Sequence, residues 1–387
     1  MKLLLVSPIF PWPPDEGGRL RVLGLARELA ASHELTLLAV ARHAPDTESL
    51  QALRRTVGRL EVVVLPRGPL HRLRDLILSY LTRTPYLAVV YSRPALRRAV
   101  AALAPGHEAA QAEFPYGAAL IADLPLLKVM DAHNVEADIL AGNARHASSL
   151  PRRVHHRLQA AFMRRFERRT AARMDWVLAC SEEDRRAFAD LCPRTLTVPN
   201  AVADVRERDE PQGLEVLFTG LMSYLANAEG ALWFVSRVWP LVLAGEPRAR
   251  LLIVGKDPGP AVRALDGPTV RVTGRVEDVS GYYRQAAVFV CPLRVGSGTR
   301  LKILEAMSWG VPVVSTPLGR AGLEAVDGRE IVTAEEEGDF ARAVLSLLAD
   351  PARRREMGRA GRELVASRFT WGRAAQTLNE KVYRTCA

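Results

Sequence analysis

Between Arg294 and Thr316 the chain reads RVGSGTRLKILEAMSWGVPVVST. Gly296, Ser297 and Gly298 form a loop with no Cβ at two of its three positions, so a ligand can approach the backbone closely. The pattern then predicts a helix from Thr299 to Trp309, with Leu301, Leu304, Met307 and Ser308 on its packed face and Gly310 as the residue that ends it. Amides at a glycine-rich helix start favour a phosphate. Lys302 falls in the first turn, where a cation opposes the helix dipole, and a bound anion would offset that conflict. Glu305 lies three residues on and shares its face. The lysine can hold phosphate oxygens while the carboxylate accepts two hydrogen bonds from a diol such as a ribose. An ordinary solvated Lys–Glu pair, worth ~0.3 kcal/mol, has the same spacing. Spacing alone leaves both readings open.

Two further stretches gather polar residues after apolar runs. Asp131-Ala132-His133-Asn134-Val135-Glu136 follows a buried strand, so its polar groups emerge at the strand's ligand end. A lone histidine is more often hydrogen-bonded structure than catalyst. Glu136 reads equally as a first-turn helix acid or an acceptor contact. Pro13-Pro14-Asp15-Glu16-Gly17-Gly18-Arg19 precedes a helix. Gly17 and Gly18 would let amides approach a donor phosphate or the acceptor, and the plainer reading is a proline-bounded turn. Arg19 and Arg21 suit phosphates or the surface, with Arg19 leaning to a phosphate.

The elements that must position these groups come from hydrophobic pattern. Near-continuous apolar runs stand at 2–7, 34–40, 60–65, 126–132, 175–181 and 195–198, and again at 215–220, 249–255, 270–274, 287–293, 311–316 and 330–334. Such runs mark strands buried on both faces of a parallel sheet. Helix patterns lie between them, among them Leu20 to Ala31 and Ala228 to Leu243. At 387 residues the chain exceeds one ordinary domain. It reads as two doubly wound α/β domains, 1–200 and 201–365, joined by the polar stretch Asn200 to Gly213. Ligands of open parallel sheets bind beyond the strands' carboxyl ends, so a cleft between the domains is the expected site.

Composition narrows the class. Apolar residues make up 48% and charged residues 25%, which excludes a disordered chain. No apolar run approaches the ~18 residues that cross a bilayer, and Met1–Val6 is too short for a signal peptide. Cys180, Cys192, Cys291 and Cys386 lack the paired spacing of a zinc site and read as free thiols. The first strand is followed by SPIFPWPPDEGG rather than G-x-G-x-x-G, which argues against a hydride-transferring dinucleotide enzyme. None of the five lysines suggests pyridoxal phosphate, and no carboxylate pair suggests a metal, so no cofactor is expected.

GSGTRLKILEAMSWGVPVVST resembles the nucleotide-sugar motif of retaining glycosyltransferases of the GT-B fold, the large family 4 group. VLFTGLMSYLANAEGALWF (216–234), LLIVGKDP (251–258), VTGRVEDVSGYYRQAAVFVCPL (272–293), DAHNVEADIL (131–140), SPIFPWPPDEGGRLRVLGLARELA (7–30) and SRFTW (367–371) match in place. The resemblance implies two Rossmann-like domains facing a central cleft, a nucleoside-diphosphate sugar as donor, retention of configuration, and a C-terminal helix, about 366–387, packed back on the first domain. It implies donor contacts at Gly220, Tyr224, Asn227, Glu305 and 296–299 (Gly296, Ser297, Gly298, Thr299). It implies catalytic roles for Lys302 and His133, and an acceptor or phosphate loop with Gly17, Gly18, Arg19 and Glu136. Two departures stand out. Many members carry a first glutamate where Ser297 stands, and an Arg and a Lys where this chain offers Tyr224 and Asn227. The missing acid leaves room for a nucleotide-sugar-binding protein without transfer activity, and the architecture for a sugar-nucleotide epimerase.

Charge is uneven. Residues 1–200 hold 28 Lys and Arg against 20 Asp and Glu, and the remainder is nearly neutral. PRRVHHRLQAAFMRRFERRTAAR (151–173) predicts an amphipathic helix with Val154, Leu158, Phe162 and Phe166 on its packed face and arginines outward. That pattern suits an ordinary solvated helix or a surface resting on anionic lipid and receiving a lipid-linked acceptor. No nucleic-acid motif is present. The expected partners are a nucleotide sugar and a carbohydrate or lipid-linked acceptor. The expected place is the cytoplasm, with contact at the inner membrane face left open.

Overall fold

A computed structural model describes residues 1–383 apart from 67, 146, 148, 210, 212 and 296–299. Gly296, Ser297, Gly298, Thr299 and Cys386 therefore lie outside the described residues. The chain divides into two units, Met1–Pro199 with the C-terminal stretch from Ala374, and Asn200–Arg373.

The first unit is a parallel sheet of seven strands: β1 (Lys2–Ser7), β2 (Glu34–Ala41), β3 (Arg59–Val64), β4 (Ala109–Glu113), β5 (Leu127–Ala132), β6 (Trp176–Ala179) and β7 (Thr195–Thr197), ordered β3-β2-β1-β4-β5-β6-β7. The second has six: β8 (Glu215–Thr219), β9 (Arg250–Val254), β10 (Val270–Gly274), β11 (Ala286–Cys291), β12 (Val313–Ser315) and β13 (Val332–Thr333), ordered β10-β9-β8-β11-β12-β13. Both are Rossmann-like. In each the chain starts at the centre, runs to one edge, then returns to the centre and runs to the other. The switch point falls between β1 and β4, and between β8 and β11. Leu3, Leu4, Leu5 and Val6 of β1, and Val288, Phe289 and Val290 of β11, are fully covered, as strands with helices on both faces must be. Each such side chain contributes about 1.5–3 kcal/mol of burial.

Every apolar run singled out in the sequence is a strand. The strand without such a run is β4, whose sequence is AAQAE. Alanine, glutamine and glutamate are poor strand formers. Here pairing with β1 on one side and β5 on the other overrides that preference. The expected Ala228–Leu243 helix is present but interrupted. Leu225–Trp233 passes into a π-helical segment, Phe234–Val238, before Trp239–Gly245. Pro240 cannot donate to the ladder and crowds the carbonyl four residues back, which gives the bulge its cause.

The polar Asn200–Gly213 stretch follows the unit boundary at Pro199, and its residues Arg206 and Arg208 are tied to the second unit. Arg206 N donates to Ser308 O, and the Arg208 guanidinium donates to the carbonyls of Tyr283, Ala286 and Gly310. The basic helix, Leu150–Ala171, does not bury its predicted stripe. Val154 and Leu158 are exposed, and the covered face runs through Gln159, Met163, Glu167 and Thr170. Buried polar partners set that rotation. Gln159 accepts from Tyr86 N and donates to Ser79, and Glu167 accepts from Glu136 N and Ala137 N, capping the Glu136–Arg145 helix.

Arg21 is neither a phosphate ligand nor a surface charge. It is 1% exposed, donates through Nε and Nη2 to the two oxygens of Asp131 at 2.9 and 2.7 Å, and reaches Val198 O at 3.0 Å. It ties the Gly17–Ala30 helix to β5 and to the end of β7. Asp131→Asn should destabilise the protein by about 3–5 kcal/mol in urea unfolding, because it strands a buried guanidinium. The double variant Arg21→Met/Asp131→Leu should recover most of that loss. A single variant as stable as the wild type would show that the pair is unimportant.

Candidate functional site

The second unit gathers its polar groups where β8 and β11 end. The Lys302 helix spans Leu301–Ser308 and buries Ile303, Leu304, Ala306, Met307 and Ser308. Leu301 is half-buried. Gly310, at φ +66°, ends the helix. Its N–H reaches Met307 O, and Val311 N reaches Ala306 O, the paired bonds of a Schellman stop.

Lys302 Nζ donates to Asn227 Oδ1 at 2.6 Å, and Asn227 Nδ2 donates to Leu221 O at 2.8 Å. The ammonium also sits 4.6 Å from the centroid of the Phe218 ring. A Cβ on Gly220 would lie 2.7 Å from both Lys302 Nζ and Asn227 Nδ2 and would displace those side-chain ends, and its φ of +153° is one that other residues rarely adopt, so the position favours glycine. Gly220, Asn227 and Lys302 are thus one cluster at the sheet's switch point. Burial lowers the Lys302 ammonium to about 8, and the nearby charge of Arg300 adds to the lowering against Cys291 and Glu305. Arg300 is 8% exposed, so two largely covered cations share this corner.

Glu305 turns to Tyr283 rather than to Lys302. Its Oε2 accepts from the Tyr283 hydroxyl at 3.0 Å, and that hydroxyl also meets Thr219 Oγ1 at 3.0 Å. Burial raises the Glu305 carboxyl, with Tyr283 and Lys302 opposing. The two residues are not a mutual surface pair. Tyr224 stands apart, its side chain 38% exposed at the start of the Leu225–Trp233 helix.

The first unit has its own cluster at the β1/β4 switch point. His133 Nε2 lies 2.6 Å from Glu113 Oε2, and Gln111 Nε2 donates to the other Glu113 oxygen at 3.0 Å. Glu113 is fully buried, and desolvation together with the charge of Asp131 raises its carboxyl. The Phe114 ring lies 4.0 Å, centroid to centroid, from the imidazole, and Phe114 itself holds φ +62°. A left-handed phenylalanine costs roughly 1–3 kcal/mol, a strain typical of functional corners. A Cβ on Gly18 would stand 3.7 Å from His133 Nδ1 and 3.6 Å from Phe114. Gly18 and His133 are therefore neighbours. Gly17 opens the Gly17–Ala30 helix. Arg19 folds back onto Asp15 at 3.0 Å and Pro13 O at 3.3 Å. Glu136 opens the Glu136–Arg145 helix, and burial raises its carboxyl to about 7.

Glu113, Asp131 and His133 bring ligand atoms within 4.8 Å of one another, the spacing of a metal site. Each is turned onto a protein partner. Arg21 takes both Asp131 oxygens, and His133 and Gln111 take those of Glu113. The cluster reads as a hydrogen-bonded ladder.

Residues 213–350, which contain the whole Lys302 cluster, match the family model for glycosyl transferases group 1. The second domain is a group 1 glycosyltransferase domain. An uncharacterised 44.6 kDa protein from the cps region of Klebsiella pneumoniae is 23% identical over 89% of this chain and 90% of its own length. A GDP-mannose-dependent phosphatidylinositol monomannoside mannosyltransferase of Corynebacterium glutamicum is 31% identical, over 35% of this chain and 39% of its own. The relatives with a stated activity are matched over 25–40% of their length. Among solved structures, HepE of Anabaena in complex with UDP and glucose aligns over 99% of this chain and all of its own, with a TM-score of 0.71 at 15% identity. TarM aligns over 98% of both chains with a TM-score of 0.70 at 10% identity. The second domain thus matches a glycosyltransferase family, and the chain as a whole shares the GT-B fold of these solved structures.

Sequence reasoning missed Glu113, Arg300, Thr219 and Tyr283. Glu113 had a faint signal, since Gln111 and Glu113 share one face of a strand among alanines. Thr219 and Tyr283 carried none, because only the fold brings them to Glu305.

The lysine makes a titration prediction. Its folded-state value lies below the unfolded value of 10.5, so the unfolded chain binds more protons between about 8 and 10.5. The stability penalty is full below about 8 and relaxes as pH rises. The melting temperature of the wild type relative to Lys302→Met should therefore climb from pH 8 to pH 10. A flat difference would mean that the ammonium is ordinarily solvated.

Proposed function

We propose that the chain transfers a sugar from a nucleoside-diphosphate sugar to an acceptor hydroxyl with retention, without a metal, in polysaccharide or glycolipid synthesis. The Lys302 corner carries this reading: two covered cations at a sheet switch point, with a glycine clearing the approach, fit a diphosphate. The nucleotides named for similar proteins point the same way, since one is GDP-mannose-dependent and the HepE structure holds UDP.

In this reading Lys302, Arg300 and the amides of Gly296–Thr299 hold the diphosphate, and Glu305, steadied by Tyr283, takes the ribose hydroxyls. Asn227 fixes the lysine, and Tyr224 lines the donor loop. The acceptor oxygen bonds to the anomeric carbon as the bond from that carbon to the phosphate oxygen breaks, on the same face. The acceptor's proton passes to the departing phosphate oxygen. Charge grows on that phosphate in the transition state, so fixed cations there speed the chemical step more than they tighten ground-state binding. His133, held by Glu113, faces the sugar, and Gly17, Gly18, Arg19 and Glu136 take the acceptor side. Arg19 would exchange Asp15 for an anion. The basic first domain would rest on anionic lipid at the inner membrane face.

Lys302→Ala should cut turnover by two or more orders of magnitude with the circular dichroism melt retained, and near-normal turnover sinks the phosphate role. Glu305→Gln should weaken nucleotide affinity about tenfold by calorimetry. Product analysis with UDP- and GDP-sugars separates a new glycoside from an altered free donor, which would mean an epimerase, and from binding without turnover.

A further inference from the structure

The Pro69–Thr82 helix is inside out. Its covered residues are Asp75 and Ser79, 1% and 0% exposed. Asp75 is paired with Arg93 and Arg74 at 2.8 Å each, and Ser79 is bonded to Gln159 and to Thr84 O. Its leucines point outward instead. Leu70 is 83% exposed, Leu81 76%, Leu73 56% and Ile77 50%. Residues at 70, 73, 77 and 81 fall on one helical stripe. Leaving such a stripe in water is unfavourable, and contiguous exposed apolar surface marks a binding face.

The stripe leads into a cavity of about 410 Å³ through Leu73, which belongs to both. Leu76, Leu87, Ile139, Leu140 and Met163 continue its apolar wall, with Pro85 and Tyr86 beside them. Its polar positions are mostly cationic or neutral: Arg72, His155, His156 and Gln159, with Glu136 the one acid. Among the described residues, the buried Nδ1 of His156 has no hydrogen-bond partner. An apolar wall with a few convergent polar groups is the usual form of a ligand site. Glu136 lies three residues after His133 and within its electrostatic reach, so one end of the cavity adjoins the histidine cluster.

We propose that this cavity holds the hydrocarbon chain of a lipid-linked acceptor, with the anionic linkage at Arg72 and His156 and the outward leucine stripe meeting the hydrocarbon from which the chain emerges. An isolated carbohydrate would leave the leucine wall wet, and an anionic linkage complements the Arg72 guanidinium and can accept from the imidazole of His156. As an acceptor site the assignment rests on the transferase reading above. The lipid's polar end would then lie at Glu136, beside His133.

The test uses the full chain with three probes, farnesyl phosphate, farnesol and inorganic phosphate, titrated by calorimetry. A melting shift with UDP and GDP reports the second domain in parallel. Farnesyl phosphate should bind more tightly than farnesol, and phosphate alone should not bind. Met163→Trp, which fills the cavity from within, should weaken farnesyl phosphate at least tenfold and leave the nucleotide shift intact. Leu140→Trp does the same from a half-exposed wall position, so misfolding of one variant does not spoil the test. Unchanged affinity in a folded variant overturns the proposal, as does failure of both chain-bearing probes. A wild-type dimer that Leu73→Asp/Leu81→Asp converts to a monomer in sedimentation would assign the stripe to a second copy and also overturn it. A lost nucleotide shift with cavity-dependent lipid binding intact would sink the donor reading and leave the lipid site standing.

Discussion

A covered ammonium held by one amide oxygen and the face of one ring is an uncomfortable group. Lys302 is in that state, and the centre of the second sheet is arranged around it. Asn227 is aimed at it by a bond to Leu221 O. A side chain on Gly220 would displace the ammonium from this place. Glu305, which could have neutralised it, is drawn off by Tyr283. A protein that keeps a cation partly desolvated, with a second cation nearby, holds a place for negative charge. In the proposed function that charge is the diphosphate of the donor, and the residues concerned fall within the stretch that matches the glycosyltransferase family.

The first sheet uses the opposite strategy. Its ionisable residues at the switch point are mutually satisfied. Arg21 and Asp131 neutralise each other in the core, and Glu113 is shared between His133 and Gln111. Such a network fixes geometry more than it adds stability, since desolvation offsets much of the attraction. Its product is an imidazole whose orientation is set from below by Glu113 and from the side by Phe114. Strain at Phe114 is tolerated where the surrounding polar contacts over-determine the backbone.

The pattern of strands was legible because parallel strands buried on both faces must be written in continuous apolar residues. The 301–308 helix and its glycine stop were legible for the same kind of reason, with periodicity and a left-handed glycine carrying the signal. What escaped was set by tertiary contacts. β4 is alanine, glutamine and glutamate, and only its place between β1 and β5 makes it a strand. With β4 hidden, Glu113 was hidden too. The Leu150–Ala171 helix misled because Val154 and Leu158 face out while its buried face, which includes Ala160 and Met163, is drawn in by Gln159 and Glu167. Periodicity reports amphipathicity, and cannot tell which side a buried hydrogen bond will choose.

The end of the chain has a consequence for the order of assembly. Leu378, Val382 and Tyr383 are buried, and the Tyr383 hydroxyl bonds to Gln111, the residue that steadies Glu113. These groups belong to the unit that begins at Met1. A ribosome must therefore finish the entire second sheet before the first can close its core, and the imidazole's support waits on a helix that is synthesised after both sheets.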